Sequence, residues 1–269
     1  RMRQGQDALI RVEVDLNEAC FGTERDISVE SAVACTKCNG QGSADASAPA
    51  MCQVCKGRGE TQQVQRSFLG QVMTSRPCSA CQGFGSVIQN PCRECAGDGR
   101  VRARQNINVK IPAGVETGNR IQLAGRGEVG AGGGPAGDLY VEIVEAEHPF
   151  LIRDGLNLHV AIEVSFAAAA LGTKVKVECL DGEIEVEVRA GTQSGATIPV
   201  RGKGMTRLRA ATRGDLIVHV EVQTPHKLNR EQEELLRKFA AARGEKPGDV
   251  KIKGLEQGFF SKFRDAFGR

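Results

Sequence analysis

Eight of the ten cysteines fall into four pairs of identical internal spacing: Cys35 and Cys38, Cys52 and Cys55, Cys78 and Cys81, Cys92 and Cys95. Each pair is C-x-x-C, and in every one glycines follow two and four places after the second cysteine, from Gly40 and Gly42 through Gly97 and Gly99. Two thiolates on one tight loop face a single ion only if the backbone curls around them, with its N–H groups toward the sulfurs. Glycine tolerates the positive φ and the close approach that such a curl requires. A tetrahedral zinc ion takes four thiolates, so four knuckles of this kind make two closed sites with no coordination position left for a substrate. The chemistry written into these residues is structural metal binding.

Four knuckles pair in three ways, and the spacers discriminate between them. The stretch Thr61–Arg76 reads as two extended segments around Gly70, an antiparallel hairpin. A hairpin brings its ends together, so the second knuckle meets the third and the first closes on the fourth. This reading assigns Cys35, Cys38, Cys92 and Cys95 to one zinc and Cys52, Cys55, Cys78 and Cys81 to the other. Sequential pairing, first with second and third with fourth, is the competing arrangement. From Ala34 to Arg100 only ten large apolar residues occur, too few for an independent core. Structural zinc contributes on the order of 10–16 kcal/mol in such segments, enough to fold one.

The remainder of the chain bounds the setting. At 269 residues it is long enough for two ordinary domains and something smaller. A net charge of +3 does not by itself imply nucleic acid or an anionic membrane. No run approaches the roughly 18 apolar residues of a membrane span, and no signal peptide is recognisable. Regular C-x-x-C pairs in a chain of this kind favour thiolate–metal chemistry over disulfides, hence a reducing, cytoplasmic compartment. The first residue is Arg1, so the chain reads as processed or as a piece of something longer.

The elements that must carry the knuckles show an internal repeat. Gly114, Gly125, Gly127 and Gly137-Asp138-Leu139 recur as Gly191, Gly202, Gly204 and Gly214-Asp215-Leu216, at a constant offset of 77. Ala19 and Gly22-Thr23 recur as Ala169 and Gly172-Thr173, at an offset of 150. The first copy therefore holds about 73 residues between its halves that the second lacks, nearly the size of the cysteine module. Both copies read as β-rich, with apolar–polar alternation over 10–16, 158–164, 184–188 and 216–222. The expected architecture is mainly β: two tandem, duplicated, sandwich-like domains, the first carrying an inserted two-zinc hairpin arm, then a C-terminal helix. Expected boundaries are 1–33 plus 101–153 for the first domain, 34–100 for the zinc module and 154–225 for the second domain. The helix takes 226–244 and a flexible tail 245–269. The glycine run Gly130–Gly134 reads as a surface turn, because it lacks the lysine and the following Ser/Thr of a phosphate loop and precedes a strand.

After Pro225, Asn229 caps a helix through Glu231–Ala242. Leu228, Leu235, Leu236 and Phe239 form its apolar stripe, which packs on its own domain or on a second copy of the chain. Phe259, Phe263 and Phe267 recur every four residues with Lys262 and Arg264 between them. That pattern suits a short amphipathic helix docking on a partner, a membrane surface or the chain itself, or else a frayed terminus.

Four C-x-x-C-x-G-x-G repeats set into the first of two duplicated β domains closely resemble type I J-domain co-chaperones, the DnaJ family. The stretches Arg66–Cys78 and Ala136–Val141 are similar to actinobacterial members. The resemblance implies that the β domains bind unfolded polypeptide, that the zinc arm assists transfer to a DnaK-type chaperone and that the C-terminal helix makes a homodimer through Leu235, Leu236 and Phe239. It also implies pairing of knuckle one with four and two with three. Clients would add as a strand to the first β domain, with Ile27, Val29 and Leu151 at the apolar pocket. The family's His-Pro-Asp motif has no counterpart here: the sole His-Pro is His148-Pro149, followed by Phe150. This chain is accordingly expected to hold clients without stimulating the partner's ATPase.

Two other functions compete. A zinc-dependent nucleic-acid binder would use the seven Lys/Arg of the arm against its four Asp/Glu, but few aromatics are present for stacking. A thiol–disulfide enzyme needs a labile cysteine of low pKa, whereas metal-bound thiolates are occupied. No Ser/His/Asp, paired-carboxylate or phosphate-loop arrangement is evident, so no enzymatic activity, no nucleic acid and no membrane span are expected.

Overall fold

A computed structural model of the chain describes residues 3–67, 70–245 and 248. The Phe259–Phe267 segment lies outside the described residues. In chain order the elements are β1 (Ala8–Val14), α1 (Leu16–Phe21), β2 (Thr23–Ala34), β3 (Ala50–Met51), β4 (Glu60–Ser67), β5 (Gly70–Pro77), β6 (Ser86–Val87), β7 (Arg100–Ile111), β8 (Arg120–Leu123) and β9 (Leu139–Glu145). They continue with β10 (Ile152–Asp154), β11 (Asn157–Ser165), α2 (Phe166–Leu171), β12 (Thr173–Cys179), β13 (Gly182–Val188), β14 (Thr197–Val200), β15 (Leu216–Gln223) and α3 (Arg230–Ala242).

The duplication holds down to strand register. β1 runs parallel to β9 with Ala8 opposite Leu139, and β11 runs parallel to β15 with Leu158 opposite Leu216. The antiparallel β2–β7 pair sets Thr23 against Ile111, and β12–β13 sets Thr173 against Val188. In each unit a sheet built on the parallel pair faces the two-stranded antiparallel pair, and alternate residues of both fill the space between. Val12, Val14, Val109, Ile111, Leu139, Val141 and Ile143 supply the first core; Leu158, Val160, Val186, Leu216 and Val218 supply the second. One apolar cluster runs through both units, and Val164, Ala169, Val188 and Val220 form a smaller one.

Two short helices follow directly on β1 and β11, over stretches to which the sequence reading, apart from Leu16, gave no element. Leu16 begins α1 rather than ending β1, because Asp15 and Glu18 form a capping box, Glu18 N–H donating to Asp15 Oδ1 at 2.8 Å. In the second unit Ser165 Oγ accepts from Ala168 N–H at the matching place in α2. Both helices stop at a left-handed glycine, Gly22 and Gly172. Among the described residues one element of the second unit has no counterpart in the first: β10, which pairs antiparallel with the edge of β11.

The cysteine module occupies the interval that the offsets marked. β2 and β7, twelve residues each, leave the first unit as one long ribbon, and the module closes its far end. Two-stranded β3–β6 and then β4–β5 follow outward, the latter meeting at Ser67 and Gly70. α3 starts from an Asn229–Gln232 capping box and buries none of its residues.

Candidate metal centre

Each knuckle solves the same local problem in the same way. The residue after the second cysteine (Asn39, Lys56, Gln82 or Ala96) adopts positive φ, as do both glycines that follow it. This curl aims the second glycine's N–H at the second thiol: Gly42 to Cys38, Gly59 to Cys55 and Gly85 to Cys81 at 3.2 Å, and Gly99 to Cys95 at 3.3 Å. Such bonds favour the thiolate, the form a metal needs. The spacing announced the glycines. It gave no sign of the third left-handed residue, because Asn, Lys, Gln and Ala share no type that marks it.

Knuckles are then joined in pairs by backbone. Cys35 N–H donates to Gly99 O and Cys92 N–H to Gly42 O, at 3.0 and 2.8 Å. Cys52 N–H donates to Gly85 O and Cys78 N–H to Gly59 O, both at 2.9 Å. Two foursomes result. Cys35, Cys38, Cys92 and Cys95 lie at the base of the arm; Cys52, Cys55, Cys78 and Cys81 lie beyond β3–β6. Within each foursome all four sulfurs are within 4.8 Å of one another, and all eight residues are buried.

The donor set fits a tetrahedral ion. Zinc–sulfur bonds of about 2.3 Å place thiolates roughly 3.8 Å apart. Cys35–Cys92, Cys38–Cys95 and Cys55–Cys81 sulfurs are separated by 4.0, 3.7 and 3.6 Å. Ionisation within each group is divided. Burial opposes the thiolate at Cys81, but the Gly85 N–H and the neighbouring thiols prevail and its pKa falls to about 7. Backbone N–H groups of Cys95 and Glu94 bring Cys92 to about 7, while burial drives its partner Cys95 up to about 11. Burial likewise raises Cys35 and Cys55. Four thiols in so small a space do not all ionise without a cation, which is the electrostatic signature of a metal cage.

The remaining cysteines stand apart from both foursomes. Cys20 Sγ lies 3.4 Å from Thr206 Oγ1, and Cys179 donates to Gly182 O. Of the other sequence-assigned positions, Ile27 and Val29 share one face of β2. Ile27 is half-buried, and Val29 and Leu151 are buried, all three belonging to the large apolar cluster. β2 pairs with β7 alone; along its other edge the backbone bond among the described residues is Val129 N–H to Ala32 O. On α3, Leu235 and Phe239 are exposed and Leu236 half-buried, with the Phe239 ring edge-on to Phe166 at 6.3 Å. Leu235 and Leu236 line an apolar groove of ≈ 540 Å³ with Phe166 and Leu228.

Comparison with known proteins extends this picture over the whole chain. Residues 8–225 match the family described as DnaJ C terminal domain, and residues 231–269 match the Chaperone protein DnaJ C-terminal region. Chaperone protein DnaJ 2 of Streptomyces avermitilis is 60% identical over 99% of this chain and 71% of its own length. Chaperone protein DnaJ 2 of Mycobacterium tuberculosis is 49% identical and Chaperone protein DnaJ 1 of Corynebacterium glutamicum 48%, each over 99% of this chain and 70% of the relative. A likeness of that extent, on a duplicated β scaffold with paired thiol cages set into its first copy, means that the chain belongs to the DnaJ family of chaperones.

Proposed function

We propose that this chain is the client-binding and dimerising part of a DnaJ-type co-chaperone. It binds unfolded or misfolded polypeptide, prevents its aggregation and passes it to a DnaK-type ATP-dependent chaperone. The observation that carries client binding is the open edge of β2. A two-stranded sheet has an outer edge on each strand, and that of β2, tied at Ala32 by Val129, offers main-chain donors and acceptors over the rest of its length to any extended peptide; recognition by backbone alone suits clients of unrelated sequence. Ile27, Val29 and Leu151 are the side chains we assign to the accompanying apolar pocket. Two zinc ions fill the cysteine foursomes, hold the arm in shape and do no chemistry. We further propose that residues 1–33 with 101–153, and 154–225, act as the two client-binding domains of a cytoplasmic protein. Among the described residues no helix is long and apolar enough to cross a membrane.

The dimer contact is assigned to α3, an amphipathic helix whose Leu235 and Phe239 remain exposed beside an apolar groove. A second copy of the same helix has the matching apolar face.

The test is aggregation of a chemically unfolded client followed by light scattering. The intact chain is expected to suppress it, and Ile27→Ser and Leu151→Ser to weaken suppression several-fold while both metal ions stay bound. Full suppression by both variants would remove the pocket assignment; none by the intact chain would remove the holdase reading. Phe239→Asp is expected to shift the chain from dimer to monomer in analytical ultracentrifugation. An unchanged mass would place the contact elsewhere.

A further inference from the structure

The glycine run Gly130–Gly134 is more than the surface turn its composition suggests. It forms part of a loop, residues 128–137, that grips a segment more than a hundred positions earlier in the chain. Arg3 N–H donates to Ala131 O at 3.3 Å and Gly5 N–H to Pro135 O at 2.8 Å. Glu128 N–H donates to Gln6 O at 3.0 Å, and Asp138 N–H to the Asp7 carboxylate at 2.8 Å. The approach is close enough to decide residue type. A Cβ on Gly130 or Gly134 would overlap the Arg3 carbonyl oxygen, and one on Gly5 would overlap that of Glu128. A Cβ on Gly137 would run into the Gln6 carbonyl. None of these four glycines has positive φ, so the backbone conformation does not call for glycine there. The space taken by the gripped segment does.

The same loop holds the arm. Gly132 N–H donates to Asp98 O at 3.0 Å, inside the knuckle that begins at Cys92. Val129 N–H donates to Ala32 O at 2.8 Å, and Val129 O accepts from Arg100 Nη1 at 3.0 Å, so the loop is fastened to both strands of the ribbon. The gripped segment then reaches the farther foursome: the Arg3 guanidinium lies 4.7 Å from the ring centroid of Phe84, three places after Cys81. One loop and one strap thus touch the first β unit, a knuckle of the base foursome and a knuckle of the outer one together.

We propose that residues 3–7 are a strap that sets the direction of the zinc arm, with residues 128–137 as its grip and the Arg3–Phe84 stack as its outer contact. Without the strap the arm is joined to the first unit by the β2–β7 ribbon and the loop contacts at its base, and two strands alone make a weakly supported connection. With it, the outer foursome is held at a second point. The strap is a positioning element and touches neither metal nor the proposed client edge.

The experiment measures arm direction in the full chain loaded with two zinc ions. Nitroxides are attached through azide-bearing residues introduced at Glu13 on β1 and Gln63 on β4, both exposed, and the distance distribution is read by pulsed EPR. Arg3→Ala and Gly134→Val should each broaden that distribution about twofold, the second also speeding amide exchange of Gly5 at least about tenfold. Arg3→Ala removes one surface stack, so its thermal midpoint and zinc content should match those of the parent. If Gly134→Val fails to fold, Arg3→Ala decides alone. Distributions as narrow as the parent's in the folded variants would overturn the proposal. So would broadening that comes with loss of zinc, which would trace arm direction to the foursomes instead.

Discussion

At the scale of single residues, the cages rest on a backbone conformation that most side chains resist. Gly59 has φ near 78° and its N–H points at Cys55 Sγ. Gly59→Ala asks an L-residue to hold that conformation at a cost of about 1–2 kcal/mol. Metal affinity at the outer foursome should therefore fall roughly 5- to 30-fold with the base foursome unaffected; competition against a chromophoric chelator reads this directly, and equal loss at both sites would contradict it. The thiols also set a pH dependence. Metal binding needs every thiolate, so protons compete with the ion. Cys81 and Cys92, held near 7, begin to protonate as pH falls through that value, and Cys95, pushed up to about 11, carries its proton across the whole neutral range unless an ion displaces it. Affinity should accordingly rise with pH throughout, and loss on acidification should steepen below about pH 7 as the lowered thiols add their protons. Metal retention in a pH-jump dialysis series checks the sign: tighter binding at pH 5 than at pH 8 would show that thiolates are not the ligands.

At the scale of elements, the duplication makes matched positions comparable. Leu139 on β9 and Leu216 on β15 are both fully buried and lie opposite Ala8 and Leu158 in identical registers. Truncation to alanine should destabilise each unit by about 2–5 kcal/mol, and the two costs should agree within about 1 kcal/mol if the cores are as alike as their registers. Urea unfolding of Leu139→Ala and Leu216→Ala measures both. The strands were legible because alternation is a local signal: the apolar positions of 158–164 and 216–222 recur every second residue. α3 was legible because its cap and stripe lie within one stretch of sequence. The short helices were not, since six residues ruled by one Asp15–Glu18 box leave the surrounding alternation almost unmarked. Surface chemistry has also diverged between the copies. Glu142 binds Arg11 and Arg120 in the first unit, where the second places His219 against His159 at 2.8 Å. A repeat found from glycines and core residues says nothing about such substitutions, because the core fixes the register and solvent leaves the outer face free.

At the scale of the whole molecule, two sources of stability meet along one ribbon. The β units bury continuous apolar clusters, whereas the module between Cys35 and Gly99 has as its buried clusters, among the described residues, the two groups of cysteines. Sequence composition already carried that contrast, in the scarcity of large apolar residues between Ala34 and Arg100. What composition left hidden was the tie between regions far apart in the chain, since Arg3 bonds to Ala131 and Gly5 to Pro135 and no local pattern links them. The division predicts how the molecule comes apart. A strong chelator should unfold the module and leave the units standing, because thiol cages without an ion hold four crowded, partly ionised sulfurs and little else, while the cores of Leu139 and Leu216 do not involve metal. Amide hydrogen exchange before and after chelation resolves this by segment. Protection of Gly42, Gly59, Gly85 and Gly99, whose N–H groups face sulfur, should be lost. Amides in β9 and β15 should keep most of theirs, and the thermal midpoint of the β units should move by only a few degrees. Loss of protection in β15 at the same chelator concentration would mean that the metal sites support the distant unit as well, and that arm and body form one cooperative structure. The topology argues otherwise: the ribbon, the strap and its grip tie the arm to the first unit, whereas β15 pairs with β11 and β14, so unfolding of the arm has little to pull on there.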